Sequence, residues 1–174
     1  MYLLSLYFDD NSSKKIQLLI NNTALKSKNN FMVENNVPPH ITIASFQSQN
    51  EEEVIKRLDS VIKDIEKDKI TLASIGVFKS SVLFLSPVLN EYLHNLSVNI
   101  NKEISKIKDV SISRFYLPFS WMPHITIAKK LSRDELLLGF QELEKNFSTF
   151  NGEVIKIGLS KTNPYEEIIK WNLK

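Results

Sequence analysis

Two identical strings of six residues contain the side chains of this chain that are best suited to chemistry. Residues 39–44 and 123–128 both read Pro-His-Ile-Thr-Ile-Ala, and their histidines, His40 and His124, lie 84 positions apart (124 − 40). A histidine has an unperturbed pKa of about 6.5, so it can accept or donate a proton near neutral pH. The repeat contains two of the three histidines in the chain. It therefore predicts a pseudo-symmetric acid–base site.

Each string alternates polar and apolar residues, which is the period of a half-buried β-strand. Residues i and i+2 of a strand point to the same side, so His40 lies beside Thr42 and His124 beside Thr126. The threonine hydroxyls can donate hydrogen bonds to phosphate oxygens, where the charge of a phosphoryl transition state is spread. The pattern favours in-line attack on a phosphodiester, in which one histidine activates the nucleophile and the other protonates the leaving oxygen. The isoleucines of both strings point the other way, into a core: Ile41, Ile43, Ile125 and Ile127.

The elements around the two strings repeat as well. Each string is followed by a helix and then two strands, and an Ile-Gly-Val or Ile-Gly-Leu string follows each histidine at a similar distance. This order indicates an internal duplication without a linker between the copies. Periodicity predicts strands at 2–8, 40–46, 70–78, 82–88, 124–128, 152–160 and 168–173 and helices at 12–25, 51–67, 90–107 and 132–147, with a polar loop at 29–39, an irregular segment at 110–122 and a turn at 162–165.

Composition limits the classes of protein to consider. The chain has 174 residues, 43% of them hydrophobic, and a formal net charge of only +2, which is typical of a globular protein and not of a binder of long duplex nucleic acid. The absence of cysteine excludes thiolate catalysis and fits a reducing compartment. No apolar stretch approaches the roughly 20 residues of a membrane span, and the start of the chain does not read as a signal peptide. We therefore expect a cytoplasmic location and no membrane contact.

The paired motif resembles the two-histidine (2H) phosphoesterase superfamily, and in particular its 2′-5′ RNA ligase or RNA 2′,3′-cyclic phosphodiesterase branch. The string from Tyr116 to Ala128 is similar to the way that branch enters its second motif. The resemblance implies an α+β fold with two pseudo-symmetric lobes of antiparallel strands, flanked by helices around a central cleft. It also implies opening of 2′,3′-cyclic phosphates, usually to a 2′-phosphate, without metal or cofactor. On this basis His40 and His124 are the catalytic residues, and Thr42 and Thr126 bind the substrate phosphate.

The expected domain is a single bilobal unit spanning residues 1–174. The first motif lobe covers about 29–89 and the second about 110–174, with the strand 2–8 and the helices 12–25 and 90–107 packed on them. The first motif is entered through Val-Pro-Pro, which differs from the Asn-containing entry common among the core cyclic phosphodiesterases, so the resemblance leaves the substrate open.

Six further side chains are candidates for contacts at the base or the rim of the site. Tyr7 alternates correctly to face the cleft, Phe46 shares parity with His40, and Lys130 shares parity with His124. Three aromatic residues before the second motif could stack on a base or pack the rim: Tyr116, Phe119 and Trp121. His94, the third histidine, lacks a neighbouring motif and reads as a surface or boundary residue.

Metal and nucleotide-triphosphate chemistry find little support in the sequence. A catalytic zinc usually needs three protein ligands, and neither a His-Glu-x-x-His string nor a glycine-rich phosphate loop occurs. We expect RNA ends or small cyclic nucleotides as partners, and a monomer. The alternatives are activity on 2′-5′ oligonucleotides or ADP-ribose cyclic phosphate, and a non-catalytic RNA- or nucleotide-binding protein with the same fold.

Overall fold

The structure, a computed structural model, describes residues 1–162 and 164–174, and confirms an α+β fold in which helices flank an antiparallel sheet. The predicted turn at 162–165 includes Asn163, which lies outside the described residues. The strands are β1 (Tyr2–Phe8), β2 (His40–Gln47), β3 (Asp68–Phe78), β4 (Val82–Pro87), β5 (Ser111–Ile112), β6 (Ile125–Lys129), β7 (Phe150–Lys161) and β8 (Glu166–Asn172). The helices are α1 (Asp10–Ser27), α2 (Phe31–Glu34), α3 (Glu51–Ile62), α4 (Glu91–Ile104) and α5 (Arg133–Asn146), with a 3₁₀ turn at Arg114–Tyr116.

The helices begin where their sequences offer caps. Asp9 accepts hydrogen bonds from backbone N–H groups at the start of α1, and Asn50 and Asn90 do the same for α3 and α4. Ser132 and Glu135 form a reciprocal capping box at the start of α5. These caps satisfy backbone donors that have no partner within the helix. The largest differences from the expected elements are that α2 forms inside the predicted loop, that β5 and the 3₁₀ turn form inside the predicted irregular segment, and that α3 ends at residue 62 instead of 67.

All described strands belong to one sheet with the order β5-β2-β1-β7-β3-β4-β6, and β8 also pairs with β7. Every pairing is antiparallel. β7 is the central strand. It pairs with β1 along one edge, whereas its other edge is shared between β3 at residues 150–154 and β8 at residues 156–161.

Strand pairing crosses the division of the chain into repeats. β7 and β8 follow the second motif in sequence, yet they continue the sheet beside β1 and β2, which carries the first motif. β3 and β4 follow the first motif, yet they pair with each other and with β6, which carries the second motif. The division at 29–89 and 110–174 stays a prediction from the order of elements in the sequence, and strand pairing crosses it.

One hydrophobic core joins the two halves of the sheet to the helices. α3 packs against α4, and α4 contacts β2, whereas α1 packs against α5 and contacts β6. The predicted core isoleucines of both motifs are fully or almost fully buried. Fully burying one such side chain contributes about 1.5–3 kcal/mol. The isoleucines thus fix both motif strands to the core and leave the opposite side of the sheet for polar side chains.

Candidate active site

A β-bulge in β2 determines which side chains accompany His40. The register pairs Tyr7 with His40 and Ser5 with Thr42, but the next pair joins Leu4 to Ala44. Ile43 is therefore an extra residue on β2, and alternation starts anew after it. His40 and Thr42 share one side of the sheet, and beyond the bulge that side continues at Ser45, the partner of Leu3.

β6 contains a bulge at the corresponding position. Phe84 pairs with Thr126 and Leu83 with Ala128, which leaves Ile127 as the extra residue. Beyond this bulge Lys129 pairs with Val82, and because Val82 and Phe84 lie two residues apart on β4, Lys129 faces the same way as Thr126. We call the side of the sheet that carries His40, Thr42, His124 and Thr126 the motif face.

The two imidazoles are held by the same hydrogen bond. His40 Nδ1 lies 2.8 Å from the carbonyl oxygen of Pro38, and His124 Nδ1 lies 2.9 Å from that of Met122. A carbonyl oxygen only accepts, so Nδ1 is the donor and carries a proton in both rings. This leaves Nε2 of each neutral ring as the nitrogen available for proton transfer. Both histidines are thus oriented for the same chemistry.

The two motif strands lie at opposite parts of the strand order but contact each other, because the sheet curls. The indole Nε1 of Trp121, on the segment that enters β6, donates a hydrogen bond of 3.0 Å to the carbonyl oxygen of Thr42. The charge of His124 also acts on His40. The two His-x-Thr pairs are thereby brought into one polar region.

Burial lowers the pKa of both imidazoles below the usual value. For His40 burial is the largest cause, the bond to the Pro38 carbonyl opposes it, and the charges of His124 and Lys129 lower the pKa further. For His124 burial again lowers the pKa, and the bond to the Met122 carbonyl opposes it. Burial thus favours the neutral form of both rings, and a bound phosphate anion would favour protonation of one of them.

The aromatic surroundings of the two imidazoles differ. The ring centroid of Tyr7 lies 6.3 Å from that of His40. His124 instead has two phenylalanine neighbours, with centroid distances of 4.8 Å to Phe78 and 5.6 Å to Phe84. Phe78 and Phe84 stack on each other at 4.1 Å. His124 therefore rests on an apolar layer of two phenylalanine rings, whereas the aromatic neighbour of His40 is Tyr7.

One of the residues predicted to line the site is elsewhere. The prediction for Phe46 is wrong: it is 1% exposed and stacks on Tyr2 at 5.4 Å, because the bulge at Ile43 turns it to the helix side. Lys130 lies after the end of β6 with a φ of 60°, and its Nζ is 4.3 Å from the Phe31 ring centroid, a ring that Lys129 also approaches. Its place at the rim of the site stays a prediction.

The three aromatic candidates before the second motif have different environments. Trp121 is 9% exposed and packs in the core, and Tyr116 is half-buried against the core. Phe119 is 91% exposed with a φ of 66°, and its ring centroid lies 4.9 Å from that of His94. Of the three, Phe119 alone presents its ring to solvent.

Lys129 is a cation on the motif face that sequence reasoning missed. It is half-buried, and burial and then the charge of Lys130 lower its pKa. Its Nζ lies 4.8 Å from the Phe31 ring centroid. The bulge that brings it to the motif face shows in the sequence only where two apolar residues stand side by side, Ile127-Ala128 here and Ile43-Ala44 in the first motif.

The described residues contain neither a metal cluster nor a membrane-spanning helix. No group of three or more His, Cys, Asp or Glu side chains within residues 1–162 and 164–174 is placed to hold a metal ion. Over the same part of the chain, no helix has the length and apolar character needed to cross a membrane.

Comparisons with known proteins agree with this fold. Solved structures with the same fold include E. coli LigT complexed with 3′-AMP, with a TM-score of 0.64 at 14% identity over 99% of this chain and 97% of that one. The protein TT0787 of Thermus thermophilus gives a TM-score of 0.60 at 15% identity, over 99% of this chain and 98% of that one. Usb1 of Kluyveromyces marxianus gives a TM-score of 0.50 at 14% identity, over 99% of this chain and 97% of that one. No curated protein sequence matches.

The family assignment rests on sequence as well as on fold. A sequence model described as the 2′-5′ RNA ligase superfamily matches residues 14–165, a range that includes both His-x-Thr motifs. The match covers most of the chain, and the chain therefore belongs to the 2′-5′ RNA ligase superfamily.

Proposed function

We propose that this protein is a metal-independent phosphoesterase that opens 2′,3′-cyclic phosphates of RNA or nucleotides. The observation that carries the proposal is the matched orientation of His40 and His124, each bonded through Nδ1 to the carbonyl oxygen two residues earlier. Two imidazoles with Nε2 available can act as base and acid in one displacement. Thr42 and Thr126, on the same face, supply hydroxyl donors for the non-bridging oxygens of the phosphate.

The proposed reaction is an in-line displacement at phosphorus. One imidazole accepts a proton from water through Nε2 as the water oxygen bonds to phosphorus. The bond from phosphorus to O3′ breaks, and the second, protonated imidazole gives its proton to O3′. The product is a 2′-phosphate with a free 3′-hydroxyl. A 5′-hydroxyl in place of water would form a 2′-5′ phosphodiester by the same step, which is the ligation that the family name describes.

Nucleotide-sized ligands are compatible with what the similar structures hold. The solved complexes of E. coli LigT contain 3′-AMP, ATP, NADP⁺ or phosphate. These ligands are properties of that protein, and they support a nucleotide or RNA end as the ligand class to test here.

The test is a substrate panel with product mapping. The protein is incubated with 2′,3′-cyclic mononucleotides, short RNAs ending in a 2′,3′-cyclic phosphate, 2′-5′ oligonucleotides and ADP-ribose cyclic phosphate, with and without EDTA. We expect a 2′-phosphate product whose rate EDTA leaves unchanged, because acid and base are both imidazoles. His40→Ala or His124→Ala should each lower turnover by roughly 10²–10⁴-fold, the usual scale for a positioned acid or base.

His94→Ala is the matched control, because His94 contacts Phe119 and lies outside the motifs; its turnover should equal that of the unaltered protein. The double variant should lose much less than the product of the two single losses, since groups that act as a unit are not additive. If His40→Ala abolished turnover and His124→Ala did not, the two-imidazole mechanism would be wrong. Binding of every ligand without turnover would identify a non-catalytic binding protein.

A further inference from the structure

The motif face extends beyond the two motifs onto strands that the proposed chemistry does not use. Next to His40, the register continues from Tyr7 on β1 to Lys156 on β7 and then to Asn172 on β8. Two residues away on the same side of these strands, Ser5 pairs with Gly158. Residues that pair directly in an antiparallel sheet point to the same side, so these side chains form one continuous surface with the catalytic histidine.

Gly158 allows two side chains to meet on this surface. It also pairs with Lys170 on β8. A Cβ at Gly158 would lie 2.8 Å from Cε2 of Tyr7 and 3.1 Å from Cγ of Lys170. With no side chain between them, the Nζ of Lys170 lies 4.9 Å from the ring centroid of Tyr7, a cation–π contact. Tyr7 thereby holds the ammonium group on the motif face.

Two lysines thus lie on the motif face beyond His40. Lys156 is half-buried and has no carboxylate partner within the described parts of the chain, residues 1–162 and 164–174. Lys170 pairs with Glu167, which lies on the same strand. Adjacent strands are about 4.8 Å apart, so the backbone of Lys156, two strands from β2, is roughly 10 Å from that of His40. Because a lysine side chain is long, the Nζ of Lys156 can lie closer than this backbone distance to a ligand that extends from His40.

The other half of the sheet has aromatic residues at the corresponding place. Gly76 on β3 pairs with Phe84, as Gly158 pairs with Ser5, but the position above this glycine is filled by the Phe84 ring, on which Phe78 stacks. The two halves of the sheet therefore differ: two lysines, one of them paired with Glu167, lie beyond His40, whereas the rings of Phe84 and Phe78 cover the strands beyond His124.

We propose that Lys156 and Lys170 form a second phosphate subsite, which binds the phosphodiester on the 5′ side of the reacting nucleotide. This inference rests on the proposed function. A 2′,3′-cyclic phosphate occupies the 3′ end of an RNA, so the rest of the RNA can extend only in the 5′ direction. The bound RNA runs from His40 across β1, β7 and β8, and the substrate that uses the whole surface is an RNA end and not a mononucleotide.

The test compares one substrate that reaches the subsite with one that does not. The double variant Lys156→Gln/Lys170→Gln is assayed on a four-nucleotide RNA ending in a 2′,3′-cyclic phosphate and on a 2′,3′-cyclic mononucleotide. We expect kcat/KM for the RNA to fall roughly tenfold or more, as for loss of hydrogen bonds to a charged group, while the value for the mononucleotide stays unchanged. The salt dependence for the RNA should also become shallower, by about 0.7 in slope for each phosphate that a lysine no longer neutralises.

The matched control is Lys161→Gln/Lys56→Gln, which removes the same charge on the helix side. Lys161 contacts Tyr2 and pairs with Glu51, and Lys56 belongs to α3. The control should leave both substrates unchanged. Equal losses for the RNA and the mononucleotide, or no loss for the RNA, would overturn the subsite.

A charge-removing variant on the same surface tests whether positive charge there strengthens RNA binding. Glu167→Gln removes the carboxylate that neutralises Lys170 and should tighten binding of the RNA. Glu166→Gln is its control, because Glu166 pairs with Lys161 across the β7–β8 ladder and its charge acts on that lysine of the helix side. Weaker RNA binding by Glu167→Gln, or equal effects of both variants, would contradict the proposal.

Binding measurements separate this proposal from the proposed function. The dissociation constants of a four-nucleotide RNA with a 3′-phosphate and of a nucleoside 3′-monophosphate are measured by calorimetry for the unaltered protein and the lysine variants. Selective weakening of the RNA complex supports the subsite even if no cyclic phosphate is opened. Turnover of cyclic phosphates with equal RNA binding by all variants rejects the subsite and leaves the proposed function intact.

Discussion

The bond from Nδ1 of each motif histidine to a carbonyl two residues earlier has a local cause. A proline precedes both His40 and His124. Proline has a fixed φ and disfavours the helical region for the residue before it. The chain therefore approaches each histidine in an extended form, and the carbonyl oxygens of Pro38 and Met122 lie within 2.9 Å of the rings. The proline before each histidine thus helps to determine its tautomer, in which Nδ1 carries the proton.

The lowered pKa of the two imidazoles predicts how stability depends on pH. An unfolded histidine titrates at about 6.5, whereas burial holds both folded pKa values lower. Between the folded and unfolded values the unfolded chain binds more protons, so the free energy of unfolding falls as pH decreases below about 6.5. The variant His40→Gln/His124→Gln should lose less stability between about pH 7.5 and pH 5.5 than the unaltered protein, as measured by urea unfolding. Parallel losses in the two proteins would show that the imidazoles do not contribute.

At the scale of the elements, the paired bulges explain both what sequence reasoning found and what it missed. Alternation holds within each His-x-Thr string, so over these three residues it indicates correctly that a histidine and its threonine lie on the same side of the strand. Ile43 and Ile127 each add a residue next to a buried alanine, so each bulge appears in the sequence only as two consecutive apolar residues. Beyond each bulge, a residue that simple alternation would put on the motif face points to the other side of the sheet. Phe46 was assigned to the wrong side for this reason, and Lys129 was missed for the same reason.

Gly76→Ala should damage the apolar layer under His124. The added Cβ would lie 2.1 Å from Cζ of Phe84, so the ring must move, and with it the stack beneath the imidazole. We expect a loss of about 1–3 kcal/mol in the free energy of unfolding, typical of overpacking, together with lower turnover. Urea unfolding and kcat/KM on a cyclic mononucleotide measure the two effects.

Gly152→Ala is the matched control for this substitution, because its Cβ would be no closer than 3.4 Å to any neighbour, here Ser12 Oγ. Gly152 lies on β7, at a strand position that pairs with Ile70. It should change stability and turnover little. An equally large effect of both alanines would attribute the loss to the strand backbone and not to Phe84.

At the scale of the whole molecule, the duplication is visible in the sequence but the exchange of strands is not. Repeated order predicts two copies, and it gives no information on which copy supplies the neighbours of each motif strand. β7 pairs with both β1 and β3, so one strand of the second repeat links two strands that come earlier in the chain. Long-range pairing of this kind depends on tertiary packing, which local periodicity does not report.

The exchange of strands between the two sequence repeats predicts that neither repeat folds alone. A fragment of residues 1–108 lacks β7, so β1 and β3 lose the strand between them; a fragment of residues 109–174 lacks β4, the partner of β6. Each fragment should show no cooperative thermal transition by circular dichroism, and mixing the two should restore one. A cooperative transition in the 1–108 fragment by itself would contradict the prediction.

The pairing of β1 with β7 also bears on how the chain is made. Leu6 pairs with Ile157, so at about 5–20 residues per second the ribosome needs on the order of ten seconds to supply the partner of β1. During that time one edge of a strand without charged residues, Tyr-Leu-Leu-Ser-Leu-Tyr-Phe, has no native neighbour. Such edges favour aggregation. Asp9 and Asp10 follow the strand directly, and charges that flank an apolar strand oppose aggregation. The carboxylates that begin α1 therefore stand where charge would also limit association of the nascent chain.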